Sequence, residues 1–312
     1  LTYNHISWKD IYNDAKPSFN KTNILPSVLL EWEFDDRKKL KLAYHKSSIA
    51  PPLENRLINR KILDFNRVFE GNPFLEMNAN DRILLSFSSF KSYGLSIYSK
   101  LGYRKIDKGV VNSNTFQGIY GITTPIQLDN PAKGHEASMR LKYNRRYWYI
   151  ALTNNYYLRN TPTIFNAKET VSNSKTLGNN FDFHTNFEEF PNIDLEVRNS
   201  YYVNKADFFE NKTNTTVLDL AIEYDYKDWK FRSSFEQNYY RNISQKNNSD
   251  FGNINGAIFY HKEDSPWEFG VDFYNLGNNR KQISNSYSID RYYERSVSVF
   301  PRTIMFNVYY KL

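Results

Sequence analysis

PRTIMFNVYYKL, residues 301–312, alternates residue by residue: Ile304, Phe306, Val308, Tyr310 and Leu312 are apolar, and Met305, Asn307, Tyr309 and Lys311 separate them. A strict period of two in an aromatic stretch opened by Pro301 describes a β-strand with one greasy face. The intervening residues are more polar or more adaptable, so the other face tolerates water.

The composition extends that reading. Aromatic residues make up 17% of the 312, with 25 Tyr and 23 Phe, yet mean hydropathy is negative. A Tyr-rich soluble β-sandwich and a transmembrane β-barrel both hold many aromatics. The barrel also explains why they are embedded in polar sequence, because its strands alternate lipid-facing and lumen-facing residues between aromatic girdles. A bacterial outer-membrane barrel closes on its last-made strand, which suits the ending at Leu312. No run of about 18 apolar residues is present, so no transmembrane helix is expected. The chain opens on LTYNHISW without a signal peptide, which reads as a mature or truncated product. With no cysteine, disulfide and thiolate chemistry are excluded. The net charge of +7 is scattered, so no nucleic-acid partner is expected. Basic side chains near a phosphate-rich membrane surface, of phospholipid or lipopolysaccharide, account for it.

Period-two segments predict fourteen strands, near 1–8, 24–34, 38–49, 79–90, 93–104, 133–143, 147–158, 177–190, 192–203, 215–226, 229–240, 251–261, 267–276 and 301–312. In 93–104, Tyr93, Leu95, Ile97, Leu101 and Tyr103 oppose Gly94, Ser96, Lys100 and Arg104. In 215–226, Leu218, Leu220, Ile222, Tyr224 and Tyr226 oppose Asp219, Glu223 and Asp225. The connections alternate in length. Short ones fall at Asp35-Asp36-Arg37, Lys91-Ser92, Asn144-Arg145-Arg146, Pro191, Lys227-Asp228 and 262–266. Long ones fall near 9–23, 50–78, 105–132, 159–176, 204–214, 241–250 and 277–300. Short turns on one side and long loops on the other predict an all-β, antiparallel, up-and-down transmembrane barrel, with residues 1–312 as one unit.

Several local motifs, in order, resemble the C-terminal barrel of TonB-dependent outer-membrane receptors, particularly those of Bacteroidetes. They are ILPSVLLEWEF (Ile24–Phe34), YHKSSIAPPLENRL (Tyr44–Leu57), GNPFLEMNANDRILLSF (Gly71–Phe87), and FYNLGNNR (Phe273–Arg280) followed by the terminal strand. Met77 and Asn78 stand where that family prefers Pro-Glu, Gly277 where it has Phe, and Leu312 where it ends on Phe. The resemblance implies a barrel of about 22 strands, of which this chain holds the C-terminal part. It further implies a plug domain and a TonB-contacting segment upstream of these strands, and ligand uptake without covalent chemistry. A non-transporting channel, or a scaffold subunit of a larger envelope complex with a surface lipoprotein or other partner, is the alternative. Phe306, Val308, Tyr310 and Leu312 resemble the signal read by the barrel-assembly machinery, because an edge strand with unpaired backbone is a template for strand addition.

No catalytic constellation stands out. His5, His45, His135, His184 and His261 show no metal-ligand spacing, and no glycine-rich phosphate loop occurs. No metal, cofactor or enzymatic activity is expected, and an outer-membrane hydrolase has no motif to support it. Recognition is expected in the long loops, since binding residues sit on loops held by a rigid scaffold. Phe116 and Tyr120, with Asn114 and Gln117, mark one such loop, and Tyr287, Arg291, Tyr292 and Tyr293 another. Rings beside amides and guanidinium groups can stack on and hydrogen-bond a sugar, peptide or chelate.

Overall fold

The computed structural model describes residues 2–7, 18–57, 60–165, 168–207, 209–287 and 292–311. β1 (Thr2–Ser7) pairs with β2 (Ser18–Asn23) as a separate hairpin, so the first expected strand is no part of the main sheet. Alternation identifies a strand without naming its partner, and a partner nearby in sequence closes the smaller loop. The main sheet begins with β3 (Ser27–Asp35) and β4 (Lys38–Ile49), joined by a tight turn in which the Arg37 N–H donates to Asp35 Oδ1 at 2.9 Å. A one-turn helix α1 (Leu53–Arg56), then β5 (Arg60–Asp64) and β6 (Arg67–Glu70), precede the next strands of the main sheet, β7 (Asn78–Ser89) and β8 (Gly94–Asp107). The hairpin of β9 (Val110–Gln117) and β10 (Tyr120–Gln127) intervenes before β11 (Ala132–Asn144).

From there the chain runs up and down through β12 (Trp148–Phe165), β13 (Lys168–Thr185), β14 (Asn192–Ala206) and β15 (Phe209–Tyr226). It continues through β16 (Trp229–Asn242), β17 (Asn247–His261) and β18 (Trp267–Tyr274). A last hairpin, β19 (Lys281–Tyr287) and β20 (Tyr292–Ser298), precedes β21 (Thr303–Tyr310). Thirteen strands form one antiparallel sheet in the order β21-β18-β17-β16-β15-β14-β13-β12-β11-β8-β7-β4-β3. The other thirteen expected strands are therefore all in it.

Three expected long loops are not loops. At 159–176, 204–214 and 241–250 the strands run on, and the connections shrink to 166–167, 207–208 and 243–246. These stretches are rich in Asn, Thr, Ser and Lys on both faces, so they lack the apolar alternation that signals a strand. Ladder hydrogen bonds hold them nonetheless. β12, β13 and β15 each reach 18 residues, about 60 Å at the usual rise per residue. The expected loops 50–78 and 105–132 are likewise structured: they meet in a four-stranded sheet, β5-β6-β10-β9, whose β6–β10 pair is parallel. The loop 277–300 contains the β19–β20 hairpin.

Register gives the main sheet two unlike faces, since directly opposed residues point the same way. One row runs Leu30, Leu42, Leu85, Leu101, Ala137, Tyr156, Leu177, Tyr201 across β3 to β14. Another runs Ile150, Phe183, Leu195, Leu220, Phe235, Ile254 across β12 to β17. A third joins Phe231, Ile258, Val271 and Phe306. Every side chain in these rows is exposed or half-buried. Prolines aside, the only buried apolar side chains among the described residues are Leu75, Met77, Leu128, Ala151 and Ala206. Three of the five belong to the connections beside the four-stranded sheet, so the large sheet has scarcely any core of its own.

Candidate functional site

The polar face of the main sheet carries the charged chemistry. Asp182, Glu196, Asp219 and Glu236 stand directly opposite one another across β13 to β16. Like charges so placed repel. Three of the four have counterions: Arg198 Nη2 lies 2.5 Å from Asp219 and its Nε 3.5 Å from Glu196, and Arg140 lies 3.7 Å from Asp182. Nearer β3, Glu31 pairs with Lys41 at 2.9 Å, and Glu33 pairs with Lys39.

A second row has the opposite sign. Arg82 on β7 faces Arg104 on β8, Arg104 faces Gly134 on β11, and Gly134 faces Arg159 on β12. Where Gly134 lacks a side chain a recess of about 340 Å³ opens, lined by the three arginines with Glu136, Tyr157 and Thr161 among others. Glu136 faces Gly102, and a side chain at Gly102 would collide with it. The glycine therefore lets the Glu136 carboxylate cross β8 to accept from Arg82 Nη2 at 2.9 Å and to meet Lys100 Nζ at 3.1 Å. Arg104 Nε donates to the buried Asn80 Oδ1, and Asn80 Nδ2 in turn donates to Ser47 Oγ at 3.0 Å. Among the described residues no carboxylate comes within ion-pair distance of Arg104 or Arg159. The Arg159 guanidinium lies 5.9 Å from the Tyr157 ring centroid. Arg104 is three residues from the end of β8 and Gly134 two from the start of β11, so the recess opens at the end of the sheet that bears the long connections.

The expected loop residues divide between two sheets. Phe116 and Tyr120 flank the Gly118–Ile119 turn at the tip of the β9–β10 hairpin, both exposed, with Gly118 at φ 64° to permit the turn. Tyr287 faces Tyr292, and Ser286 faces Tyr293, in the β19–β20 hairpin. Arg291 lies outside the described residues. Phe306, Val308 and Tyr310 share the apolar face of β21, a strand paired on one side only, and Phe306 is 80% exposed. Leu312 lies outside the described residues.

The histidines whose side chains are described stay apart. His184 stacks on Tyr149 with centroids 5.3 Å apart and lies 3.7 Å from Asp194, and His135 tilts against Tyr103 at 5.1 Å. Among the described residues no three His, Asp or Glu side chains gather in a way that would hold a metal. The arginine row is not foreseeable from the chain alone. Its signal in the sequence is the shared face of Lys100 and Arg104 on one strand, which does not say what the neighbouring strands bring beside it.

The Asn-rich turns of the sequence are explained by packing. Asn72 donates from Nδ2 to Pro125 O at 3.1 Å, and its Oδ1 accepts from the Phe74 N–H at 3.0 Å, which ties the GNP turn to β10. Asn275, buried at φ 50°, donates from Nδ2 to both Asn279 O and Phe300 O at 2.7 Å, clamping the base of the 277–300 connection. In comparison with known proteins, no family model matches the chain, and no curated protein matches it significantly.

Proposed function

We propose that the thirteen-stranded sheet is part of the wall of a transmembrane β-barrel in a bacterial outer membrane, and that the barrel takes up a ligand in the manner of a TonB-dependent receptor. The observation that carries this reading is the exposed apolar face, set against a charged opposite face with almost no core. An apolar surface continuous over so many strands is not left to water. Lipid is a solvent that suits it, and a wet lumen suits the rows of carboxylates and arginines behind it.

Two further features support the reading. Trp32, Trp148, Trp229 and Trp267 all fall on the apolar face, each near the end of its strand that bears the short turns. Trp267 packs edge-on to Tyr310 at 4.7 Å and Trp229 against Tyr260 at 4.9 Å, forming an aromatic band of the kind found at a membrane interface. Beside it Arg145 and Arg146 lie over Tyr143 and Tyr147 at 5.1 and 5.0 Å, placed for headgroup phosphates. Secondly, among the described residues β3 and β21 are each paired on one side only. Hydrocarbon offers no partner to an open edge, so in this reading further strands complete the wall between them. The plug, and the segment that meets TonB, belong with those strands.

Tryptophan quenching in brominated lipid tests the placement. Lipids brominated near the headgroup should quench this protein more than lipids brominated at the chain end, and aqueous iodide should quench it less. Quenching by iodide with none by either lipid sinks the membrane reading. Uptake separates the roles within it: dependence on TonB supports a receptor, whereas passage or assembly without TonB supports a channel or a scaffold.

A further inference from the structure

We propose that the recess at Gly134 binds a small soluble di- or polyanion through Arg104 and Arg159. The inference rests on the reading of the polar face as the lumen wall and names the chemistry of the ligand that passes there. Three arginines stand in one row across four adjacent strands, and among the described residues their only carboxylate partner is Glu136. Glu136 is engaged by Arg82 and Lys100 together, which leaves an excess of positive charge over the recess.

The acidic row on the same face shows how this sheet handles like charges when no ligand is needed. There, Arg140 and Arg198 serve three of the four carboxylates from the protein itself. At the recess no described residue does the same for Arg104 or Arg159. Arg104 is also held in place, because Asn80 takes its Nε and is buried against Ser47. That bond leaves the terminal nitrogens of the guanidinium for a second acceptor. Gly134 is what makes room: any larger side chain there would fill the gap between the two arginines.

The spacing sets the ligand. Arg104 and Arg159 are two strand spacings apart, about 10 Å between backbones, and their flexible side chains shorten the distance between charges. Each guanidinium takes a carboxylate or phosphate group in a forked, two-bond fashion. A molecule bearing two such groups, or a compact polyanion spanning both, satisfies the pair. The position at the end with the long connections places the recess where a solute first meets the wall.

The test is calorimetric titration of the full protein in detergent at low salt with citrate and with pyrophosphate, glucose serving as the uncharged control. Wild type should bind both anions and not glucose, with affinity falling as sodium chloride is added. R104Q and R159Q should each weaken binding about tenfold or more, as loss of a charged hydrogen-bonding group implies. E136Q should tighten binding, since it frees Arg82. R232Q, which removes an arginine paired with Glu223 on β16, should leave binding unchanged. Failure of wild type to bind either anion, equal binding by all variants, or weaker binding in E136Q overturns the proposal. Heat-modifiable migration of each variant in detergent gels is scored in parallel. A wild type without it overturns the barrel reading while the titration still decides the recess.

Discussion

The thirteen-stranded sheet and the small sheet beside it are built on opposite principles. In the small sheet, β5, β6, β10 and β9 come from two connections, and the segments flanking them bury Leu75, Met77 and Leu128. Polar clips secure it: Gln127 Oε1 accepts from the Glu76 N–H at 2.9 Å, and its Nε2 donates to Glu76 O and Lys108 O at 3.0 and 2.9 Å. Glu76 also meets Lys108 Nζ at 2.6 Å. This is the logic of a protein in water, apolar groups inward and polar groups paired at the margin. The large sheet inverts it toward the short turns, turning leucines and phenylalanines outward with charges on the other face, whereas toward the long connections Lys46, Asp81, Lys105 and Lys133 form a charged row on the apolar side as well. On the proposed membrane placement, one chain is folded for two solvents, with the boundary where the strands of the large sheet give way to the long connections.

The largest expected effects set the two regions against each other. Leu75→Ala should cost about 2–5 kcal/mol in the small sheet, because it empties a fully enclosed site. Limited proteolysis of the 50–78 and 105–132 connections reads that loss, and it should be the same in detergent and in lipid. Leu220→Arg, in the middle of the apolar face of β15, should cost about 2–4 kcal/mol in a bilayer. The same change at Tyr226, near the short turn, should cost about 0–1 kcal/mol. Denaturant unfolding from vesicles measures both. Equal costs at the two depths would break the comparison.

Smaller effects sharpen it. Gly71→Ala puts a methyl group against the backbone carbonyl of Leu57, and should destabilise the small sheet by about 1–3 kcal/mol without affecting unfolding of the wall. Gln127→Ala removes the clip and strands the backbone groups it served, about 1–3 kcal/mol by the same proteolysis. The smallest effect is a pH dependence. Asp64 accepts from Arg67 Nε at 2.7 Å, and this pairing, aided by the Asn66 N–H, holds its carboxyl below the usual aspartate range. A lowered carboxyl stabilises the fold above its unfolded pKa and loses that contribution as pH falls through the folded one. Protection of the β5–β6 hairpin should therefore weaken in acid below about pH 4, where an ordinary aspartate titrates, and Asp64→Asn should flatten that dependence. An unchanged acid response in the variant would assign the effect to another group.

Much of the main sheet was legible because its signal is local. Leu218, Leu220 and Ile222 announce a face within one strand, and Lys227–Asp228 announces the turn after it. The extensions at 159–176, 204–214 and 241–250 were not legible, since a strand that is polar on both faces has no alternation to read. Nor was the destination of β1, because its pattern is that of any short strand.

The amino-acid sequence by itself determined that the chain is built of antiparallel strands with one apolar and one polar face, because side-chain direction alternates with every residue whatever the neighbours. Which strands lie side by side depends on long-range pairing that no single strand specifies. That choice placed β1 outside the main sheet, folded two expected loops into one sheet, and, among the described residues, left β3 and β21 as edges. It also aligned Arg82, Arg104, Gly134 and Arg159, residues far apart in the chain, into a single row. Their convergence depends on the register of three separate strand pairings, and register is a property of partners rather than of any one strand.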